Sequence, residues 1–149
     1  MTGLELLEGI RAGTIPPPGF AVLLGLTLEH VEEGRVTFAM TPGEAHLNPL
    51  GTVHGGLLAT MLDSAMGCAV QSVLPAGGTY TTLQLDVKYV RSPALGQGPV
   101  VAEGTVVHAG RRTATAEGRV LDAGGRLCAH ATTTCLVLAG ERVSGQATR

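Results

Sequence analysis

Hydrophobic and polar positions change period several times along this chain, and each change marks an element. Leu4, Leu7 and Ile10 recur at a spacing near 3.6, which predicts a short amphipathic helix over residues 2–12. Gly13 and Pro16-Pro17-Pro18 end it. From Phe20 to Met40 two strand-like runs flank Glu32-Glu33-Gly34, the turn of a hairpin. Residues 42–53, with Pro42, Gly43, Asn48, Pro49 and Gly51, read as irregular. A long helix follows from about His54 to Val73, stopped by Pro75 and Gly77-Gly78. It is apolar nearly all round, the pattern of a helix enclosed on every side. The remainder is strand-like. Residues 79–91 place Leu83, Leu85, Val87 and Tyr89 in strict alternation, and strands at 100–108, 113–121 and 127–138 complete a four-stranded meander.

Runs of strands without alternating helices favour an antiparallel sheet. The expected class is α+β, a strongly curved sheet wrapped around one apolar helix. At 149 residues the chain has the length of a single domain. Residues 1–19 form its N-terminal helix and Pro-rich connection, and residues 140–149 are expected to be a frayed tail.

Composition adds assembly and location. Hydrophobic residues make up 44% and charged residues 15%, and subunit interfaces would absorb the surplus, so a homo-oligomer is expected. The most apolar run, Leu57 to Leu74, is interrupted by Asp63, Ser64, Gln71 and Ser72, so no membrane span is expected. A net charge of −2 with scattered basic residues argues against nucleic acid. Three cysteines without a CxxC pair, and an N-terminus without a basic-then-apolar leader, lead us to expect free thiols in the cytoplasm.

Asp63 carries the candidate chemistry. It is the only formally charged residue between His54 and Leu74, among Gly56, Ala59, Thr60, Met66, Gly67 and Val70 on its face. An enclosed carboxylate costs several kcal/mol unless something pairs with it. Either it caps a backbone amide of a neighbouring strand or it serves a reaction. The second feature is Asn48-Pro-Leu-Gly-Thr-Val-His54-Gly55-Gly56, which leads into the same helix. Amides at a helix N-terminus attract negative charge, and two glycines let a carbonyl approach them. The glycines would equally allow tight helix–sheet packing. His54 and Asp63 differ by roughly 900° of helix rotation and about 13.5 Å of rise. If both serve one carbonyl, they come from different subunits of a two-fold dimer.

Residues 48–56, with Asp63 seven residues further on, resemble the HGG-helix signature of hotdog thioesterases in the phenylacetate-degradation and 4-hydroxybenzoyl-CoA branch. Thr82-Leu-Gln-Leu-Asp-Val-Lys-Tyr89-Val-Arg91-Ser-Pro93 is similar to the strand that follows the helix in that family. The resemblance runs from about Val22 to Leu138. It implies a hotdog fold of five to six antiparallel strands, dimers with a continuous sheet, often paired into tetramers, and hydrolysis of acyl-coenzyme A thioesters. It also implies roles. Asp63 is the carboxylate, base or nucleophile; the Gly55 amide polarises the thioester carbonyl; Asn48 and His54 shape that pocket; Thr82, or its neighbour Thr81, helps hold water. Some relatives carry Thr four residues after the acid, where this chain has Gly67, so the hydroxyl is expected on the strand. Arg111-Arg112, and less directly Arg91, are candidates for the coenzyme A phosphates.

Coenzyme A would be part of the substrate, and no cofactor or metal is expected. His46 and His54 lack a third ligand at sensible spacing, Ser64 lacks a GxSxG turn, and Cys68 reads as a small hydrophobe. Competing readings are a hydroxyacyl-thioester dehydratase of the same fold and a non-catalytic acyl-CoA-binding module. The sequence leaves aryl, arylacetyl and medium-chain acyl groups all open.

Overall fold

The computed structural model describes residues 1–138; the tail expected at 140–149 lies outside them. Helix α1 spans Gly3–Arg11. Thr2 Oγ1 accepts the Glu5 N–H at 3.2 Å and Glu5 Oε2 accepts the Thr2 N–H at 2.6 Å, a reciprocal cap for amides that have no intrahelical partner. The Gly3 N–H donates to Leu74 O at 3.3 Å, and a side chain at Gly3 would overlap the Gln71 carbonyl, so α1 is seated on the end of the central helix.

The apolar run after the prolines differs from expectation. Gly19–Leu24 is a short helix, α2, rather than the start of a strand. Periodicity alone does not separate helix from strand in so short a run. Pro18 at the N-cap and Gly25, left-handed at φ 72°, decide it. Strands β1 (Thr27–Glu32) and β2 (Arg35–Met40) then form the expected hairpin, turning at Gly34 with φ 81°.

After the loop comes α3 (Gly55–Ser72), followed by β3 (Thr79–Tyr89), β4 (Val100–Ala109), β5 (Thr113–Leu121) and β6 (Leu127–Leu138). All pairings are antiparallel, in the order β1-β2-β4-β5-β6-β3. The α+β class and six-stranded sheet agree with the sequence, but the meander has three strands, not four. β3 lies on the far edge beside β6, while β4 joins β2. The reason is visible at the helix. Gly104 of β4 and Gly118 of β5 stand opposite each other beneath α3. A side chain at Gly104 would overlap the Ala65 carbonyl, and a Cβ at Gly118 would lie 2.9 Å from Met66 Cγ. Only these glycine-bearing strands can pass closest to α3, so they take the centre. Gly104→Ala is expected to destabilise the fold by about 1–3 kcal/mol through overpacking. Urea unfolding measures this, and an unchanged midpoint would contradict it.

Leu58, Met61, Leu62, Ala65, Met66, Ala69 and Val70 of α3 are buried in the core cluster that the sheet closes over. Each large side chain contributes about 1.5–3 kcal/mol by leaving water. The helix is not enclosed all round: Ala59, Thr60, Asp63, Ser64, Cys68 and Gln71 stay half-buried. One sheet and α1 cover the rest but leave this stripe. No helix among the described residues is long and apolar enough to cross a membrane.

Candidate active site

The loop before α3 is held by its own polar groups. Asn48 Oδ1 accepts the Leu50 and Thr52 N–H groups at 3.0 and 3.1 Å, and Asn48 Nδ2 donates to Thr52 Oγ1 at 2.8 Å. The Asn48 amide is therefore spent on shaping the turn. His46 is a strut as well: its Nδ1 accepts the Gly43 N–H at 2.9 Å and its Nε2 lies 2.8 Å from Leu24 O. His54 is the N-cap of α3, its Nδ1 accepting the Gly56 N–H at 2.9 Å. That bond puts the lone pair on Nδ1 and the neutral ring's proton on Nε2.

These contacts leave the Gly55 N–H without an acceptor among the described residues, at the positive end of an 18-residue helix. The Gly55 carbonyl, in contrast, accepts the Tyr89 hydroxyl at 2.6 Å. Asn48, Thr52, Gly55, Leu58, Tyr89 and Arg91 line a cleft of about 360 Å³. His54 opens onto an adjacent cleft with Gly56 and Thr60.

Asp63 lies two turns along α3. Thr82 Oγ1 donates to Asp63 Oδ1 at 2.9 Å, and Asp63 Oδ2 has no partner among the described residues. The link depends on a bulge that the sequence pattern conceals. The β3–β6 register shifts between Thr82 and Gln84, so Leu83 and Gln84 are both exposed. A bulge reverses the alternation. Tyr80 and Thr82 therefore share the inner face with Leu85, Val87 and Tyr89, while Leu83 is 58% exposed. The expected unbroken alternation from Leu83 to Tyr89 is corrected accordingly. Thr81 is exposed on the opposite face.

Asp63 also borders a largely apolar cavity of about 260 Å³ with Leu28, Phe38, Ser64, Cys68 and Tyr80. Burial, reinforced by the Asp63 charge, pushes the Cys68 thiol up to about 12. Cys68 is thus protonated at neutral pH and a poor nucleophile. Burial likewise raises Tyr80, with Cys68 and Asp63 adding to it.

Within one chain these groups fall into separate places. Asn48, Gly55 and Arg91 share one cleft, and Asp63 faces another. Gly55 and Asp63 are eight residues apart on α3, about 12 Å along its axis. Arg111 and Arg112 are exposed in the β4–β5 turn. Arg112 lies two residues before Ala114, which pairs with Cys135, itself opposite Thr82. This turn is at the Asp63 end of the sheet, away from Gly55. Among the described residues no three His, Cys, Asp or Glu side chains gather as a metal site. Tyr80 has no signal in the sequence pattern, because only the bulge puts it on the inner face with Leu85, Val87 and Tyr89.

Residues 50–129, which include Gly55, Asp63 and Thr82, match the sequence model of the Thioesterase superfamily. The chain belongs to this family. Acyl-coenzyme A thioesterase 13 of Homo sapiens is 31% identical over 97 residues, 65% of this chain and 69% of that protein. Among solved structures, a phenylacetic acid degradation-related protein of Ralstonia eutropha superposes with a TM-score of 0.79 at 29% identity, covering 87% of this chain and 98% of that one. A thioesterase protein of Streptococcus pneumoniae, solved with coenzyme A, does so with a TM-score of 0.70 at 29% identity, covering 76% and 85%. The protein is a hotdog thioesterase. The segment matched by the family model, residues 50–129, holds the helix and both candidate reacting groups, and α1 and α2 precede it.

Proposed function

We propose that this thioesterase hydrolyses acyl-coenzyme A esters at sites assembled from two copies of the chain. The observation that carries the reading is the separation of an acceptor-less Gly55 N–H and a half-free Asp63 into different clefts. A two-fold dimer can bring the Gly55 cleft of one copy to Asp63 of the partner subunit, and makes two equivalent sites. The exposed Leu83 and Tyr89 on edge strand β3 supply apolar surface for such pairing. A dimer, or a pair of dimers, follows.

In the reaction, the thioester carbonyl oxygen accepts the Gly55 N–H, which the Asn48 turn and the His54 cap hold in position. Asp63 Oδ2 takes a proton from water while Thr82 fixes Oδ1. The hydroxide attacks the carbonyl carbon and the oxyanion forms against the Gly55 amide. The C–S bond then breaks, the leaving thiolate taking up the proton that Asp63 carried, so that thiol and acid are released and the carboxylate is restored. The alternative is attack by Asp63 itself, forming a mixed anhydride that water then opens. In a single turnover in oxygen-18 water, label in the Asp63 carboxylate requires the anhydride, opened by water at the Asp63 carbonyl.

The human and Streptococcus relatives support coenzyme A as the leaving thiol, and the Ralstonia protein supports arylacetyl groups among the candidate acyl moieties. Arg91, beside the Gly55 cleft, and Arg111-Arg112, near the Asp63 half, would reach the phosphates from opposite copies. Arg91→Ala is expected to raise KM for coenzyme A esters about two- to fivefold, a modest effect because the side chain is exposed, and to flatten its salt dependence. An unchanged KM would remove Arg91 from the site. Thiol release on a panel of acyl-coenzyme A esters tests the activity itself. Enoyl absorbance without thiol would indicate a dehydratase, and binding without either a non-catalytic module. Three free cysteines, two of them buried, fit a reducing cytoplasmic setting.

A further inference from the structure

The cavity beside Asp63 has two kinds of wall. Its floor, with Leu28, Phe38, Ser64, Cys68 and Tyr80, belongs to the sheet and central helix. Its roof is Leu7 and Ile10 of α1, Pro17 and Pro18 of the connection, and Phe20 of α2. The roof residues, like Leu28 and Phe38 of the floor, precede residues 50–129, the segment that matches the superfamily. The roof is nonetheless fixed. α1 is pinned by the Gly3–Leu74 hydrogen bond and its reciprocal cap, Leu7 is 4% exposed, and α2 is bounded by Pro18 and Gly25. Tyr80 is a fixed part of the wall: its ring lies against Gly67, where any side chain would overlap the hydroxyl. Gly67 is one helical turn beyond Asp63, so Tyr80 meets α3 about 6 Å further along its axis than the carboxylate.

We propose that residues 7–20 roof an acyl subsite of limited depth, which admits chains of up to about eight carbons and excludes long-chain acyl groups. The figure is an order-of-magnitude conversion of volume: a water takes ~30 Å³ of liquid, a methylene is of similar size, and 260 Å³ holds about eight such groups. The lining is chiefly apolar, so each added methylene is stabilised until the chain reaches Tyr80 and the proline wall. The subsite begins at Asp63, the group that must meet the thioester carbon, which puts the acyl chain rather than the pantetheine arm in this space. An apolar chain here also strips bulk water from Asp63 and leaves the carboxylate held by Thr82. The inference rests on the proposed hydrolysis of acyl-coenzyme A esters and adds which acyl groups are taken.

The test is kcat/KM for straight-chain acyl-coenzyme A esters from C2 to C16, read by thiol release. For the native chain kcat/KM is expected to rise roughly threefold to fourfold per added methylene, to peak near C8 and to fall at least tenfold by C14. Ile10→Trp, which fills the cavity from the roof, is expected to lower the C8-to-C4 ratio by tenfold or more. Ile10→Ala should move the optimum to longer chains. Rising or level values through C16 in the native protein would overturn the proposal, as would an unshifted ratio in a folded Ile10→Trp. If that variant fails to fold, the native profile and Ile10→Ala still decide it. Absence of thiol release from every ester would instead overturn the proposed activity, so the two failures are distinct.

Discussion

Replacing Gly55 with proline is expected to lower kcat by about 10²–10³-fold, the cost of one lost oxyanion donor, while leaving the fold intact. The structure makes this an unusually clean deletion. Gly55 is the first helical residue of α3, a position whose amide has no intrahelical acceptor and where proline is well tolerated. His54 before it sits at φ −59° and ψ 127°, the extended region that a residue preceding proline prefers. A Cβ at position 55 would lie 3.2 to 3.4 Å from the Tyr89 ring, which is 53% exposed and able to yield. Gly55→Ala adds the same Cβ but keeps the N–H, so it controls for contact with Tyr89. The measurement is kcat by thiol release beside thermal unfolding for both variants. If proline and alanine lose the same activity, the amide has no part in the reaction.

Asp63→Asn is expected to lower kcat by at least roughly 10²-fold, the lower range for loss of a general base. The asparagine oxygen can still accept the Thr82 hydroxyl, now at 2.9 Å from Asp63 Oδ1, so geometry and packing persist while charge and basicity go. Little change in stability is expected, because the carboxylate is half-buried and the exchange removes no apolar contact. Near-normal turnover in the folded variant would take Asp63 out of the mechanism.

What the sequence could and could not disclose follows from the range of each signal. The central helix was legible because an eighteen-residue run rich in Leu, Ala and Met, ended by Pro75 and Gly77, leaves no other choice. Asp63 and the His54-Gly55-Gly56 start were legible for the same local reason: one charge in an apolar run, and glycines where a helix begins. The order of the strands was not. β3 and β4 are consecutive in the chain but part in space, and the cause, Gly104 and Gly118 meeting α3, is a contact across the fold. The bulge at Leu83 was equally hidden, since Leu83, Leu85, Val87 and Tyr89 alternate perfectly on paper while the backbone shifts phase beneath them. That shift alone brings Thr82, rather than Thr81, against Asp63. Helix α2 was missed because Phe20 to Leu24 is too short to show a period. The full enclosure expected for α3 also fails, since Asp63, Ser64 and Cys68 are only half-buried and face a cavity under α1 and α2.

The central claim is that one active site draws on two chains, and hybrid dimers test it most directly. Gly55→Pro and Asp63→Asn chains bearing different tags are co-expressed, and dimers holding one of each are isolated through both tags. In such a dimer one site receives both defects and the other receives none. The account predicts that the hybrid recovers about half the activity of the native dimer, although each parent variant alone is nearly inactive. Doubly tagged dimers no more active than their parents would contradict it.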